Sequence, residues 1–370
     1  MGSIETPIPS TSPQNPWVTT PLTHSEALSS AAGCNIYLKL ESYQPSNSFK
    51  SRGIGNLLVS SVRSPNTTST PHFYCASGGN AGLACATAAT SLSLSTTIVV
   101  PQTTKPLMIA KIRALGDRVR VLQFGKNLGD ADKYLRSELL AHDPHGVYVS
   151  PYDHPAVWAG NATLIDELAT QIPHYDSIVC SVGGGGLLVG LIEGLETYGI
   201  LPDTTIVAVE TRGAESLNVS LRKGELLRLP AIDSIATSLG VSQVAAQAFK
   251  LAKANDVKSV VISDAEAACA CAVLWQAENV LVEPACGASI AVCLNGDLRA
   301  AYSHLTDREF SCLDIVIVVC GGSNVTTAML GEWIDVYGGE NEVRDWFVGN
   351  QWVGGSYPKI GADGPVDAII

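Results

Sequence analysis

Residues 177–195 read SIVCSVGGGGLLVGLIEGL. A short, nearly continuous apolar run ends at four consecutive glycines, Gly183 to Gly186, and an apolar helical pattern starts near Leu187. A strand with no polar face must be covered on both sides, which is the setting of a parallel strand in an α/β protein. Glycines let the backbone approach a ligand closely and adopt positive φ. The helix that follows offers unpaired N–H groups and the positive end of its dipole, so the stretch reads as a phosphate cradle. It is not a P-loop, because no Gly-Lys-Ser/Thr follows. Nor is it the dinucleotide fingerprint, whose glycines are spaced. The competing reading is a tight turn in a crossover, which needs one or two glycines rather than four.

Working outward, β-branched runs alternate with Ala- and Leu-rich segments. NIYLKL, HFYCA, TTIVV, RVRVLQF, GVYVS, TTIVAVE, KSVVIS and LDIVIVVC are the other strand candidates. Helices are predicted over 80–91, 105–115, 128–142, 155–171, 187–198, 264–280 and 324–337. This alternation predicts parallel sheet flanked by helices. Residues 1 to about 20, rich in Ser, Thr and Pro, read as a mobile lead-in. There is no internal repeat, and no linker composition marks a domain boundary.

Two more strands end in glycine-rich turns. FYCASGGNAGLACATAA (73–89) puts Ser77, Gly78, Gly79 and Asn80 at the start of an Ala-rich helix. That is a nest of N–H groups suited to a small carboxylate, or an ordinary cap by Ser77 or Asn80. LDIVIVVCGGSNV (313–325) ends in Cys320 and Gly321-Gly322-Ser323-Asn324, read alone as a core thiol followed by a turn and cap. All three ends are expected to gather at the C-terminal edge of one parallel sheet, where such folds place their ligands. In PSNSFKSRGIGN (45–56), Lys50 begins a helix where the dipole disfavours a cation, so its amine is either solvated or wanted beside an anion. A phosphate cradle, a carboxylate nest and a lysine together fit a Schiff base to pyridoxal 5′-phosphate (PLP).

The bulk composition narrows the field. The chain has 370 residues, 46 % hydrophobic and 16 % charged, with a net charge of −12. That is an enzyme-like balance, and it excludes a general nucleic-acid backbone binder. No apolar run reaches membrane-spanning length. The ten cysteines sit in apolar segments, and the N-terminal stretch lacks the pattern of a secretory signal, so free thiols and a cytoplasmic location are expected.

SFKSRG, ASGGNAG, SVGGGGLL, VEPACGAS and VVCGGSN, in this order and joined by YDHPAVWAGNATLIDEL and TSLGV, carry a resemblance. The chain resembles the serine/threonine dehydratases of the fold type II, tryptophan synthase β-like PLP family, over residues of about 20 to 335. The resemblance implies two open, twisted, mostly parallel sheets flanked by helices, with the cofactor in a cleft between a large and a small domain. Residues 1–45 and 151–340 would form the large domain, 46–150 the small one, and 341–370 a tail. It implies that Lys50 forms the Schiff base and acts on the Cα proton, that Phe49 packs on the cofactor ring, and that Asn80 bonds its phenolic oxygen. Gly183, Gly184, Gly185, Gly186 and Leu187 would hold the phosphate, and Cys320 would face the ring nitrogen. Ser77, Gly78, Gly79, Asn80 and Ala81 would receive the substrate carboxylate. A monovalent cation such as K⁺ would take Glu210, Ala214, Ser216, Leu239 and Val241.

The implied reaction is deamination of L-serine or L-threonine to pyruvate or 2-oxobutyrate, by a homodimer. β-Replacement, racemisation and a weakly active amino-acid-binding relative are the alternatives. Gly78 stands where the mammalian serine dehydratases that the chain resembles have alanine, and Ser238 where they have an apolar residue. No segment resembles the regulatory domain of biosynthetic threonine deaminases, so end-product control is not expected.

Overall fold

The computed structural model describes residues 15–64, 69–343 and 346. Among the described residues ten strands form two sheets. The larger takes β1 (Leu22–His24), β2 (Asn35–Lys39), β7 (Ser177–Ser181), β8 (Thr205–Thr211), β9 (Lys258–Ile262) and β10 (Asp314–Val318), in the order β1-β2-β10-β7-β8-β9. The smaller takes β3 (His72–Ala76), β4 (Ser95–Val100), β5 (Val119–Gln123) and β6 (Gly146–Tyr148), in the order β5-β4-β3-β6. Only β1, paired with β2, runs antiparallel. All five residues of β7 are buried, as expected of a strand covered on both faces. The α/β class with two mostly parallel sheets is therefore the observed one.

Several local expectations change. The glycine-rich ends do not share one sheet: β7 and β10 are neighbours in the larger sheet, whereas β3 lies in the smaller. Strand pairing is a long-range choice that the local runs do not encode. The segment expected as one helix over 128–142 is α-helical only over Leu128–Tyr134, then passes through a π-turn at Leu135–Leu139 and a 3₁₀ turn at Leu140–His142. There the Ser137 hydroxyl donates to the Lys133 carbonyl at 3.0 Å, competing for the helical acceptor. The helix expected from Asn324 begins at Thr327, because Thr326 supplies the cap, its Oγ1 accepting from Met329 N.

Residues 15–20 are fastened down rather than loose. Thr20 is buried and donates its N–H to Glu167 Oε2 at 3.1 Å, and Val18 N donates to Gln44 Oε1 at 3.0 Å. Residues 1–14, and all of the expected tail but 341–343 and 346, lie outside the described residues.

The two helices that matter most at the cleft are predicted to the residue or nearly so. Asn80–Ser91 follows β3, and Gly186–Thr197 follows β7. Pro155–Gln171 packs between the second of these and the Lys50–Arg63 helix, where small residues allow close approach. A Cβ at Gly190 would lie 2.6 Å from Asn161 Cβ, and one at Gly53 would lie 2.7 Å from Val157 Cγ1.

Candidate active site

The C-terminal ends of β3, β7 and β10 open onto one cavity of about 400 Å³. The stretch bearing Lys50 is tied to the end of β10 by a bridge between Ser48 and Gly321 and by Phe49 N donating to the Cys320 carbonyl at 3.2 Å. This delivers Lys50, the first residue of its helix, into the cavity wall. Its Nζ donates to the Pro151 carbonyl at 2.7 Å and lies 4.9 Å from the centre of the Phe49 ring. Burial lowers the amine to about 8, against a smaller opposing influence of Cys320 and Cys75. A buried amine near neutrality is suited to nucleophilic and proton-transfer work.

Gly183, Gly184, Gly185, Gly186 and Leu187 all line the same cavity. Gly185, at φ +85°, is the cap residue of the Gly186–Thr197 helix, with no side chain closing that helix end. Each glycine also has a packing reason. A Cβ at Gly183 would lie 2.9 Å from Leu239 Cα, and one at Gly185 would lie 2.9 Å from Val244 Cγ2. At Gly184 it would run into the Tyr152 ring, and at Gly186 into the Tyr152 carbonyl. The buried Asn161 fixes the turn by donating from Nδ2 to the Gly186 carbonyl at 2.9 Å. Tyr152, missed in the sequence reading apart from its motif, is thus the floor of the loop.

Across the cavity, Ser77, Gly78, Gly79, Asn80 and Ala81 form the second helix start. Neither Ser77 nor Asn80 caps this helix. The cap residue is Gly79, without a side-chain bond, and the Ser77 hydroxyl accepts from Gly79 N at 3.2 Å. The plain-cap reading therefore fails, and the helix N-terminus is left facing the cavity.

At Gly78, a Cβ would lie 2.6 Å from Thr104 Cγ2 and 3.1 Å from its Cβ, so Thr104 fills the space of the missing methyl group. Gly78→Ala is predicted to destabilise the protein by ~1–3 kcal/mol through overpacking. Adding Thr104→Ala should recover most of that loss in thermal melts. If Gly78→Ala melts like the parent, Thr104 does not occupy that space rigidly.

Cys320 closes the cavity at the end of β10, with its thiol donating weakly to the Val318 carbonyl at 3.5 Å. Burial raises this thiol to about 12, so it stays protonated. Of the five residues matched to a cation site, Leu239 and Val241 line the cavity, whereas Glu210, Ala214 and Ser216 are buried beyond it. Glu210 accepts from Leu217 N at 2.8 Å and Asn218 N at 2.7 Å, yet burial still raises its carboxyl to about 8. Among the described residues the buried Ser216 hydroxyl has no hydrogen-bond partner.

The chain is similar to known proteins over most of its length. A family model described as pyridoxal-phosphate dependent enzyme matches residues 14–321. The chain is 42 % identical to a mouse L-serine dehydratase/L-threonine deaminase over 321 residues, covering 85 % of this chain and 93 % of that protein. It is 41 % identical to a Saccharomyces cerevisiae L-serine dehydratase, covering 79 % of this chain and 89 % of that protein. A fungal L-serine ammonia-lyase from Rhizomucor miehei superposes with a TM-score of 0.80 at 34 % identity, covering 88 % of this chain and all of that one. A buried lysine between two open helix starts, in a chain matched over this span, places the protein in the pyridoxal-phosphate dependent enzyme family.

Proposed function

We propose that the protein is a PLP-dependent ammonia-lyase that deaminates L-serine or L-threonine. Its relatives named as L-serine dehydratases and L-threonine deaminases support the reaction. The single observation that carries the site is the lowered amine of Lys50 opposite two helix N-termini in one cavity.

The residues present suit the cofactor. One open N-terminus, at Gly183–Leu187, would take its phosphate, and Lys50 Nζ would hold it covalently. Phe49 would support the ring and Asn80 would donate to its phenolic oxygen. When bound, the cofactor supplies a sink for the electron pair left at Cα. The chain's own residues do the rest. The Ser77–Ala81 turn binds the substrate carboxylate and orients the Cα–H bond toward Lys50. The neutral amine of Lys50 takes the Cα proton, and the β-hydroxyl leaves. Loss of water and subsequent hydrolysis give pyruvate or 2-oxobutyrate plus ammonia. The Cys320 thiol, protonated at neutral pH, would offer a bound cofactor's ring nitrogen a neutral neighbour rather than a carboxylate. Such a neighbour would leave the ring a weaker electron sink and would favour loss of the β-hydroxyl over slower exchange at Cα.

Incubation with L-serine, L-threonine and their D-isomers tests the reading. Accumulation of 2-oxo acid with equimolar ammonia is expected from the L-forms. Interconversion of enantiomers without 2-oxo acid would replace it with racemisation, and unchanged substrate would reduce the protein to a binder.

A monovalent cation beside Glu210 belongs to the same proposal. The buried Glu210 carboxyl, raised by desolvation, and the Ser216 hydroxyl, without a hydrogen-bond partner among the described residues, support a cation there. Potassium should raise the unfolding midpoint relative to an equal concentration of tetramethylammonium. Because the cation competes with a proton, the gain should grow as pH rises through about 8. Equal midpoints in the two salts would remove the cation. All ten cysteines are unpaired, nine of them buried, which supports a reducing, cytoplasmic setting. Among the described residues no helix is long and apolar enough to cross a membrane. Homodimerisation is tested by light scattering.

A further inference from the structure

Glu283 has no part in the reaction above, yet its carboxylate is built into the boundary of the cleft. It is only 3 % exposed. It precedes the Pro284–Ala291 helix as cap residue, but its side chain makes no bond to that helix. Instead, Oε1 accepts from Asn80 Nδ2 at 2.9 Å and from Asn324 N at 2.8 Å, and Oε2 accepts from Ser238 Oγ at 2.5 Å. Gly322, at φ +128°, leaves the room, since a Cβ there would lie 2.6 Å from Glu283 Cγ. A carboxylate is kept buried only where its lone pairs are bonded, and these are.

The bond to Asn80 crosses between the two sheets' ends, from the turn after β3 to the segment after β9. Asn80 is held at both atoms of its amide. Oδ1 accepts from Ser323 N at 2.9 Å, and Nδ2 faces Glu283. Nδ2 carries two hydrogens. One is taken by Glu283, and the other remains for an acceptor in the cavity or for Ser238 Oγ, 3.3 Å away. Ser323 N alone would hold the amide at one atom; the carboxylate holds the other and so sets the direction in which the second Nδ2 hydrogen points.

We propose that Glu283 is a positioning residue that fixes the Asn80 amide from across the cleft, so that a cofactor's phenolic oxygen meets an N–H donor there. The inference rests on the proposal that Asn80 faces PLP. It is tested on purified protein by PLP dissociation, measured by equilibrium dialysis and by the visible band. Glu283→Ala should weaken PLP binding about tenfold, the scale of one lost charge-assisted bond. Glu283→Gln should cost less than about threefold, because its amide oxygen still accepts from Asn80 and its NH₂ can donate to Ser238.

Asn80→Ala should weaken binding similarly, and the double variant should be no worse than Asn80→Ala alone. Effects that multiply, or a Gln variant as weak as the Ala variant, would overturn the proposal. Should Glu283→Ala fail to fold, Asn80→Asp sets carboxylate against carboxylate. Adding Glu283→Gln to that chain should then recover PLP binding at least threefold, and no recovery would overturn the proposal. Parent protein that takes up no PLP would overturn both this inference and the reading on which it rests. PLP uptake with multiplying effects would overturn only the role of Glu283.

Discussion

Lys50→Ala is expected to abolish the visible absorbance of the PLP-loaded protein and to lower turnover of L-serine by on the order of 10³-fold or more. The size follows from losing two roles at once: the covalent hold on the cofactor and the base that takes the Cα proton. The fold should survive, because Nζ makes one hydrogen bond, to the Pro151 carbonyl, and no ion pair is recorded for it among the described residues. Circular dichroism should therefore match the parent. Lys105 also lines the cavity, so a residual band in the variant would move the Schiff-base role to it. The parent carries its own signature of the buried amine. Only the neutral amine attacks a carbonyl, and burial brings it to about 8, so PLP capture by the apoprotein should speed up with rising pH and level off above about 8. An unburied lysine would place that midpoint at ~10.4. A midpoint there would contradict the lowered amine.

How much of this could be read from the chain depended on the range of the interactions involved. Fully buried parallel strands announce themselves as continuous apolar runs, so β7 and β10 were found from SIVCSV and LDIVIVVC. Asn80–Ser91 and Pro155–Gln171 were found to the residue because Gly-Gly and Pro mark their starts. The division into two sheets came from the resemblance, since no local pattern separates β3 from β7. The four glycines were legible as a loop for an anion, but their number has a second cause. Tyr152, Leu239 and Val244 press on the turn from the side, and each comes from a distant segment. Glu283 lies within VEPACGAS, where nothing local assigns it a role. Its three partners lie 203, 45 and 41 residues away.

The second large effect is on stability. Arg52 lies two residues beyond Lys50 on the same helix and is fully buried. Its five N–H donors all find partners. Nε and Nη2 meet the two Glu41 carboxylate oxygens at 2.7 Å each, and Nη1 and Nη2 meet Glu167 at 2.6 and 2.8 Å. The fifth reaches Thr163 Oγ1 at 3.0 Å. Lys39 completes the cluster by donating to Glu167 Oε2 at 2.5 Å, so two cations face two carboxylates. Burial alone would lower the guanidinium, but Glu41 and Glu167 hold it well above its usual range.

Removing one member leaves the others charged in a largely buried place. Arg52→Ala should therefore destabilise the protein by roughly 3–5 kcal/mol in denaturant titrations. Arg52→Lys should recover little, because an ammonium cannot satisfy the two-pronged contact with Glu41. Glu41 follows β2, Glu167 sits on the Pro155–Gln171 helix, and Thr20 also joins the cluster, so the cluster ties the start of the Lys50 helix to three segments. The surviving folded fraction of Arg52→Ala should accordingly bind PLP less tightly than the parent at the same temperature. A variant that unfolds within about 1 kcal/mol of the parent would mean that water reaches the cluster and relieves the stranded charges. A variant that is destabilised as expected, yet binds PLP as the parent does, would limit the cluster to holding the fold and leave the placement of Lys50 to the Ser48–Gly321 and Phe49–Cys320 contacts.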